Sequence, residues 1–192
     1  MENYQSVSPL HMLARDYYND AVQFSVRFDL LWEAASLSSK TGRIKSFVDL
    51  LMGCECILKC DVILSRLNDT PAELLRKIKT HNIKTLAKHI KSPGNKNHYE
   101  GLTERLGDMH VDLRYAFDSN QFFFSFSENQ GYKNYLKTIG NNSWVMAIRK
   151  DLDTFIDDCG GKLGGFVTDD LNLLFKNEID MYCLYKNKKI SK

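Results

Sequence analysis

From Ile44 to Leu64 the chain carries apolar side chains on nearly every side of a helix. Ile44, Val48, Leu51, Leu58 and Val62 recur at spacings of three, four and seven, and Leu50, Ile57, Ile63 and Leu64 fill the flanks between them. A helix with so little polar surface is stable only where other helices enclose it. The segment therefore predicts an all-α fold with residues 44–64 at its centre.

The neighbouring segments supply the enclosing helices. Ser8-Pro9 is a capping hydroxyl followed by a proline suited to a first helical turn, and the apolar pattern after it runs to about Leu37. Residues 38–42, SSKTG, interrupt it. Asn68-Asp69-Thr70-Pro71 ends the central helix and opens a third segment carrying Leu74, Leu75, Ile78, Ile83, Leu86 and Ile90. After a polar loop, SPGNKNHYEG, comes a fourth helix in which Leu102, Leu106, Met109, Leu113 and Phe117 fall within about 80° of one another. FFFSF at 122–126 reads as an extended connector or a helix end. Asn141-Asn142-Ser143 caps a helix to about Cys159, CGGKLGG ends it, and Thr168-Asp169-Asp170 opens a last helix to about Tyr185. The expectation is six helices in a single domain, 1–192, with a bundle core over 8–120 and a helical extension over 121–192.

Composition narrows the function classes. A formal charge of +2 gives weak attraction to polyanions, far from the basic surface of a dedicated duplex binder. MENYQSVSPL has neither the basic cluster nor the apolar core of a signal peptide, and no apolar run approaches the roughly 20 residues that span a bilayer. A cytoplasmic protein with no membrane partner is expected. Five cysteines form no disulfide framework and read as buried reduced thiols. Cys56 and Cys60 share a helical face while Cys54 points away, and no Cys-x-x-Cys or His-x-x-x-His spacing completes a zinc set, so no metal and no cofactor are expected. Gly160-Gly161-Lys162 fails as a phosphate loop, because Ile156 and Leu163 stand where that loop needs glycine and a hydroxyl residue.

Two short strings carry a family resemblance. Glu55-Cys56-Ile57-Leu58-Lys59-Cys60 is similar to the Glu-x-x-Leu-Lys-Ala helix of the HEPN superfamily (higher eukaryotes and prokaryotes nucleotide-binding), and Thr80-His81-Asn82-Ile83-Lys84-Thr85-Leu86 resembles its Thr-His-Asp-Leu-x-x-Leu segment, in the same order. The resemblance implies an antiparallel up-and-down helical bundle of HEPN type with additional carboxyl-terminal helices. It also implies a homodimer, RNA or a nucleotide as ligand, and a nucleotidyltransferase or an antitoxin as partner. Many members are metal-independent endoribonucleases of defence or toxin-antitoxin systems, with an Arg, four to six residues, then a His as the site. In ERLGDMHVDLRYAF, residues 104–117, that pattern assigns Arg105 and His110 as catalytic, and Arg114, Tyr115 and, from the second string, His81 are expected as substrate-binding residues.

The chemistry is coherent, since an imidazole can take the proton of a ribose 2′-hydroxyl while a guanidinium holds the phosphate. Other readings stay open beside it. Lys59 follows Glu55 by four residues, a favourable intrahelical ion pair, and His81-Asn82 suits a cap or turn between two short helices. On a regular helix Arg105 and His110 stand about 140° apart, so they meet only if Gly107 breaks the helix or if two subunits supply them. Arg105 shares a flank with Asp108 and Asp112, and His110 with Arg114. Leu106 replaces the polar residue that often follows the arginine, and Asp112 stands where some members carry a tyrosine that is adenylylated. A non-catalytic regulatory or partner-binding module is therefore the alternative, and a helical protein outside the family a third.

Overall fold

The computed structural model describes residues 9–36, 39–91, 96–124 and 130–164. Among them are eight α-helices and one 3₁₀ turn, with no strand. Two long helices come first, α1 (Pro9–Ser36) and α2 (Lys40–Leu64). Short elements follow: α3 (Pro71–Ile78), α4 (Ile83–His89), α5 (Lys96–Leu106), the 3₁₀ turn (Val111–Arg114), α6 (Ala116–Phe124) and α7 (Gln130–Lys137). The third long helix, α8 (Asn142–Leu163), closes the described chain.

Helix α2 is the interior element its sequence requires, with 18 of its 25 residues buried. Ser39 caps it, accepting the Gly42 N–H at 3.2 Å. Phe47, Leu50, Ile57 and Ile63 are fully enclosed, each burial contributing about 1.5–3 kcal/mol. Its three carboxylates are enclosed too, and each is answered: Asp49 by Arg27 at 3.1 Å, Glu55 by Lys59 at 2.6 Å, and Asp61 by Lys162 at 2.6 Å and by the Tyr99 hydroxyl. Left alone, such charges would destabilise the fold by several kcal/mol, on the order given for buried ion pairs.

Register follows from these contacts. Trp32 meets Arg43, Arg27 meets Asp49, Ala21 faces Gly53, and Tyr17 lies by Lys59, so numbers rise on α2 as they fall on α1 and the two are antiparallel. Between α2 and α8 the numbers climb together, from Arg43 with Asn142 and Phe47 with Trp144 to Gly53 with Leu152 and Asp61 with Lys162. Helix α8 thus runs parallel to α2 and antiparallel to α1, which it meets through Asp29–Arg149 and Tyr18–Gly160. The short helices α3 to α7 form the crossover that makes this possible, and the His-bearing loops lie within it. Val145, Ile148, Leu152, Phe155 and Cys159 put α8 into the main core.

The all-α bundle agrees with the sequence reading, and some boundaries differ. The third segment is two helices, α3 with a Thr70–Glu73 capping box and α4 capped by Asn82. Residues 96–101, read as loop, belong to α5, and Phe122–Phe124 belong to α6. The fourth helix is not continuous over 102–117: it stops at Leu106 and resumes as the 3₁₀ turn, although Leu102, Leu106, Met109 and Leu113 are all buried as expected. Gly160 and Gly161 do not end α8. Gly160 lets it approach α1, where an added Cβ would stand 3.1 Å from the Tyr18 hydroxyl oxygen, and the helix stops at Gly164, whose φ of +72° favours glycine. Helix α7 has no counterpart in the expected six. Ser8, the Phe117 side chain, residues 125–126, the helix expected over 168–185 and Cys183 lie outside the described residues.

Candidate functional site

Two loops of the crossover meet at one place. After α3, the Thr80 hydroxyl accepts the Asn82 N–H at 3.1 Å, which folds the 80–82 turn. The Asn82 side-chain oxygen then caps α4 on the Thr85 N–H at 2.8 Å, while its amide donates to the Gly107 carbonyl at 3.2 Å. That bond ties the turn to the break after α5. A Cβ at Gly107 would stand 2.5 Å from the Thr103 carbonyl oxygen and 3.6 Å from the Lys84 stem, so the break is built for glycine.

Beyond Gly107 the chain alternates, Met109, Val111 and Leu113 inward, His110, Asp112 and Arg114 outward. This turns His110 toward His81, and the rings face each other edge to face with centres 6.1 Å apart. His81 Nδ1 donates to Glu55 Oε1 at 2.9 Å, the same oxygen that takes Lys59 at 2.6 Å. His110 Nδ1 lies 2.8 Å from Asp112 Oδ2 and 3.4 Å from the Asp112 N–H. The two need opposite tautomers, and the shorter, charge-assisted bond decides for a protonated Nδ1. Both rings thus leave Nε2 unbonded among the described residues, and about half of each side chain is exposed, 53% for His81 and 49% for His110. The Lys84 stem lies beside Gly107. On its other side His110 opens into a hollow of about 490 Å³ that it shares with Asp108, Asp112 and Asp118.

Arg105 goes elsewhere. It donates to Asp151 Oδ2 on α8 at 2.6 Å, and His98 donates to the other oxygen at 2.8 Å. Asp151 is buried, so this three-residue set ties α5 to α8. No contact joins Arg105 to His110, and neither Asp108 nor Asp112 pairs with it. Arg114 does not face His110 either: its guanidinium lies 4.8 Å from the Tyr115 ring, and it lines a separate hollow with Arg27, Lys45 and Met52. Tyr115 is exposed. Of the five residues singled out from sequence, His81 and His110 come together, Arg114 and Tyr115 form a second pair, and Arg105 stands apart.

The described thiols offer no exposed nucleophile. Cys54, Cys56, Cys60 and Cys159 are free and buried. Burial, then the neighbouring Glu55 carboxylate, push the Cys56 thiol up to about 12, and burial likewise raises Cys54. A hydrogen bond to Cys60, then burial, raise Cys159. Among the described residues no group of three His, Cys, Asp or Glu side chains is arranged to hold a metal, and no helix is long and apolar enough to cross a membrane.

Comparison with protein-family models, with curated proteins and with solved structures finds no match to this chain. Sequence reasoning did not find the Glu55–His81 bond or the His98–Asp151–Arg105 set. The first had a signal in Glu55, a carboxylate on an otherwise apolar helix; the second joins residues 46 and 53 positions apart, beyond any local pattern.

Proposed function

We propose that the His81–His110 pair is a metal-independent acid–base site that cleaves RNA, carried on a HEPN-like helical bundle. The pairing itself carries the reading: two half-exposed imidazoles 6.1 Å apart, each with Nδ1 held by a carboxylate and Nε2 left for a substrate. That separation suits hydrogen bonds of about 2.8 Å from both rings to oxygens of one phosphodiester. One Nε2 takes the proton of a ribose 2′-hydroxyl, whose oxygen attacks the adjacent phosphorus. The bond from phosphorus to the 5′-oxygen breaks, and the other ring, protonated, gives its proton to that oxygen. A 2′,3′-cyclic phosphate end and a 5′-hydroxyl end result, which restricts the reaction to RNA. Lys84, whose stem lies beside Gly107, is assigned in this reading to the charge that builds on the phosphate.

The resemblance supports this reading through its motif residues. Glu55, Lys59 and His81 come from the two matching strings, and their side chains meet on one carboxylate oxygen. The reading departs from the family pattern in giving His81 the place of Arg105. The pair is complete within one chain, so a homodimer is not a condition of the chemistry. A defence or toxin-antitoxin setting, with an antitoxin or a nucleotidyltransferase as partner, follows from the resemblance.

The test is incubation of the purified protein in chelator with an RNA and with the same strand carrying one 2′-deoxy position. Cleavage everywhere except after the 2′-deoxy position, leaving cyclic phosphate ends, is the expected result. Absence of any cleavage above that of a His81→Ala/His110→Ala double variant removes the proposal. It would leave the second reading, a non-catalytic partner-binding module, which one observation favours: Asp108, Asp112 and Asp118 share His110's hollow and repel a polyanion.

A further inference from the structure

Across the 3₁₀ turn from His110, α1 and α2 leave an open hollow of about 480 Å³. Its floor includes Leu31, Val48 and Met52, and its rim carries Arg27, Lys45 and Arg114. The charges do not cancel. Asp49 is the carboxylate among the described lining residues; it is 6% exposed and already taken by Arg27 at 3.1 Å. Lys45 and Arg114 form no ion pair among the described residues, and Lys40 adds a third cation in an adjoining hollow that shares both of them.

The surface thus calls for an anion with apolar substance beneath it. A single strand of nucleic acid takes such a groove by stacking its bases on open aromatic rings. Among the described lining residues the one ring is Phe24, partly buried with the Arg27 guanidinium 5.4 Å from its centre, and the exposed Tyr115 ring stands outside the lining. What remains open is aliphatic, with Leu31 45% exposed. An aliphatic floor with methionine and a one-signed rim is the complement of an amphipathic helix of opposite sign.

We infer that this hollow docks an acidic amphipathic helix of a partner protein, its aliphatic side chains on Leu31, Val48 and Met52 and its carboxylates on Lys45 and Arg114. The site is separate from the His81–His110 pair and does not depend on it. Its electrostatic part lies at the solvent-exposed rim, so affinity falls as salt rises.

The test uses the full chain and a fluorescently labelled 18-residue peptide with leucines at helical spacing on one face and glutamates on the other. Saturable binding is expected, weakened about tenfold or more by K45E/R114E and by L31E, and absent for a peptide of the same composition in scrambled order. Both variants alter exposed side chains, and thermal melts matching the parent verify that they fold. Equal binding of the scrambled peptide, indifference to K45E/R114E, or no saturable binding up to about 1 mM, where docking energy falls to roughly 4 kcal/mol, each overturns the inference. So does a single-stranded RNA that displaces the peptide by binding the same cations. Binding that appears only when residues 165–192 are removed would assign the hollow to the chain's own carboxyl-terminal segment and overturn an external partner.

Discussion

The two flanks of the 3₁₀ turn carry opposite chemistry within four residues. On one side His110 stands with Asp112, faces His81, and opens onto Asp108 and Asp118. On the other Arg114 joins Arg27 and Lys45 over an aliphatic floor. Leu113, buried, borders the His110 hollow and the smaller hollow that Arg114 shares with Lys40. A short turn gives its two flanks different surroundings. A 3₁₀ segment advances about 2 Å per residue, so imidazole and guanidinium stand close along the chain yet look into different surroundings. Proton transfer asks for paired titratable groups with fixed tautomers, and docking asks for uncancelled charge over apolar area.

The comparison breaks first at the histidines. His110→Ala and His81→Ala are each expected to lower RNA cleavage by about 10²–10⁴-fold while leaving peptide docking at Arg114 intact. Parallel loss of both activities would show that the flanks are not independent. Gly107→Val comes next, because its side chain has no room beside the Thr103 carbonyl. It should destabilise the protein by about 1–3 kcal/mol, read in a denaturant melt, and separate His81 from His110 by disturbing the Asn82–Gly107 bond.

Asp151→Ala removes the acceptor of both His98 and Arg105. A loss of about 1–3 kcal/mol in the same melt is expected, with cleavage per folded molecule unchanged. Lost cleavage at full stability would move Arg105 back into the site. The smallest effect sharpens the scaffold behind the His81 turn. Hydrogen bonds from Lys77, then Lys91 and Arg66, hold the Asp69 carboxyl below the usual carboxylate range. A depressed carboxyl adds stability above its ordinary value and loses it as pH falls, so the melting-temperature gap between parent and Asp69→Asn should be widest near neutrality and shrink in acid. A gap that grows in acid would contradict that sign.

Much of the architecture was written locally. The girth of α2 demanded a central position, Thr70 and Asn82 announced their caps, and the turn expected at His81-Asn82 separates α3 from α4. The break after Leu106 was half legible: Leu102, Leu106, Met109 and Leu113 fit a helical stripe, yet Met109, Val111 and Leu113 also alternate with His110, Asp112 and Arg114. A period of two competing with one of 3.6 cannot be settled locally, and the steric demand at Gly107 settles it. The parallel course of α8 was not legible, because it depends on the summed path of five short helices. The Asp151 partner of Arg105 was not legible for a related reason, since it comes from α8. The candidate site was thus half visible, with both histidines singled out and only one of them given a catalytic role.

The most direct measurement sets Arg105→Ala beside His81→Ala in one chelator-treated RNA cleavage assay, with rates scaled to folded protein. The paired-imidazole account predicts that Arg105→Ala keeps a rate within a few-fold of the parent, because its guanidinium serves Asp151, while His81→Ala loses about 10²–10⁴-fold. The reverse ranking, with Arg105 indispensable and His81 dispensable, would contradict it.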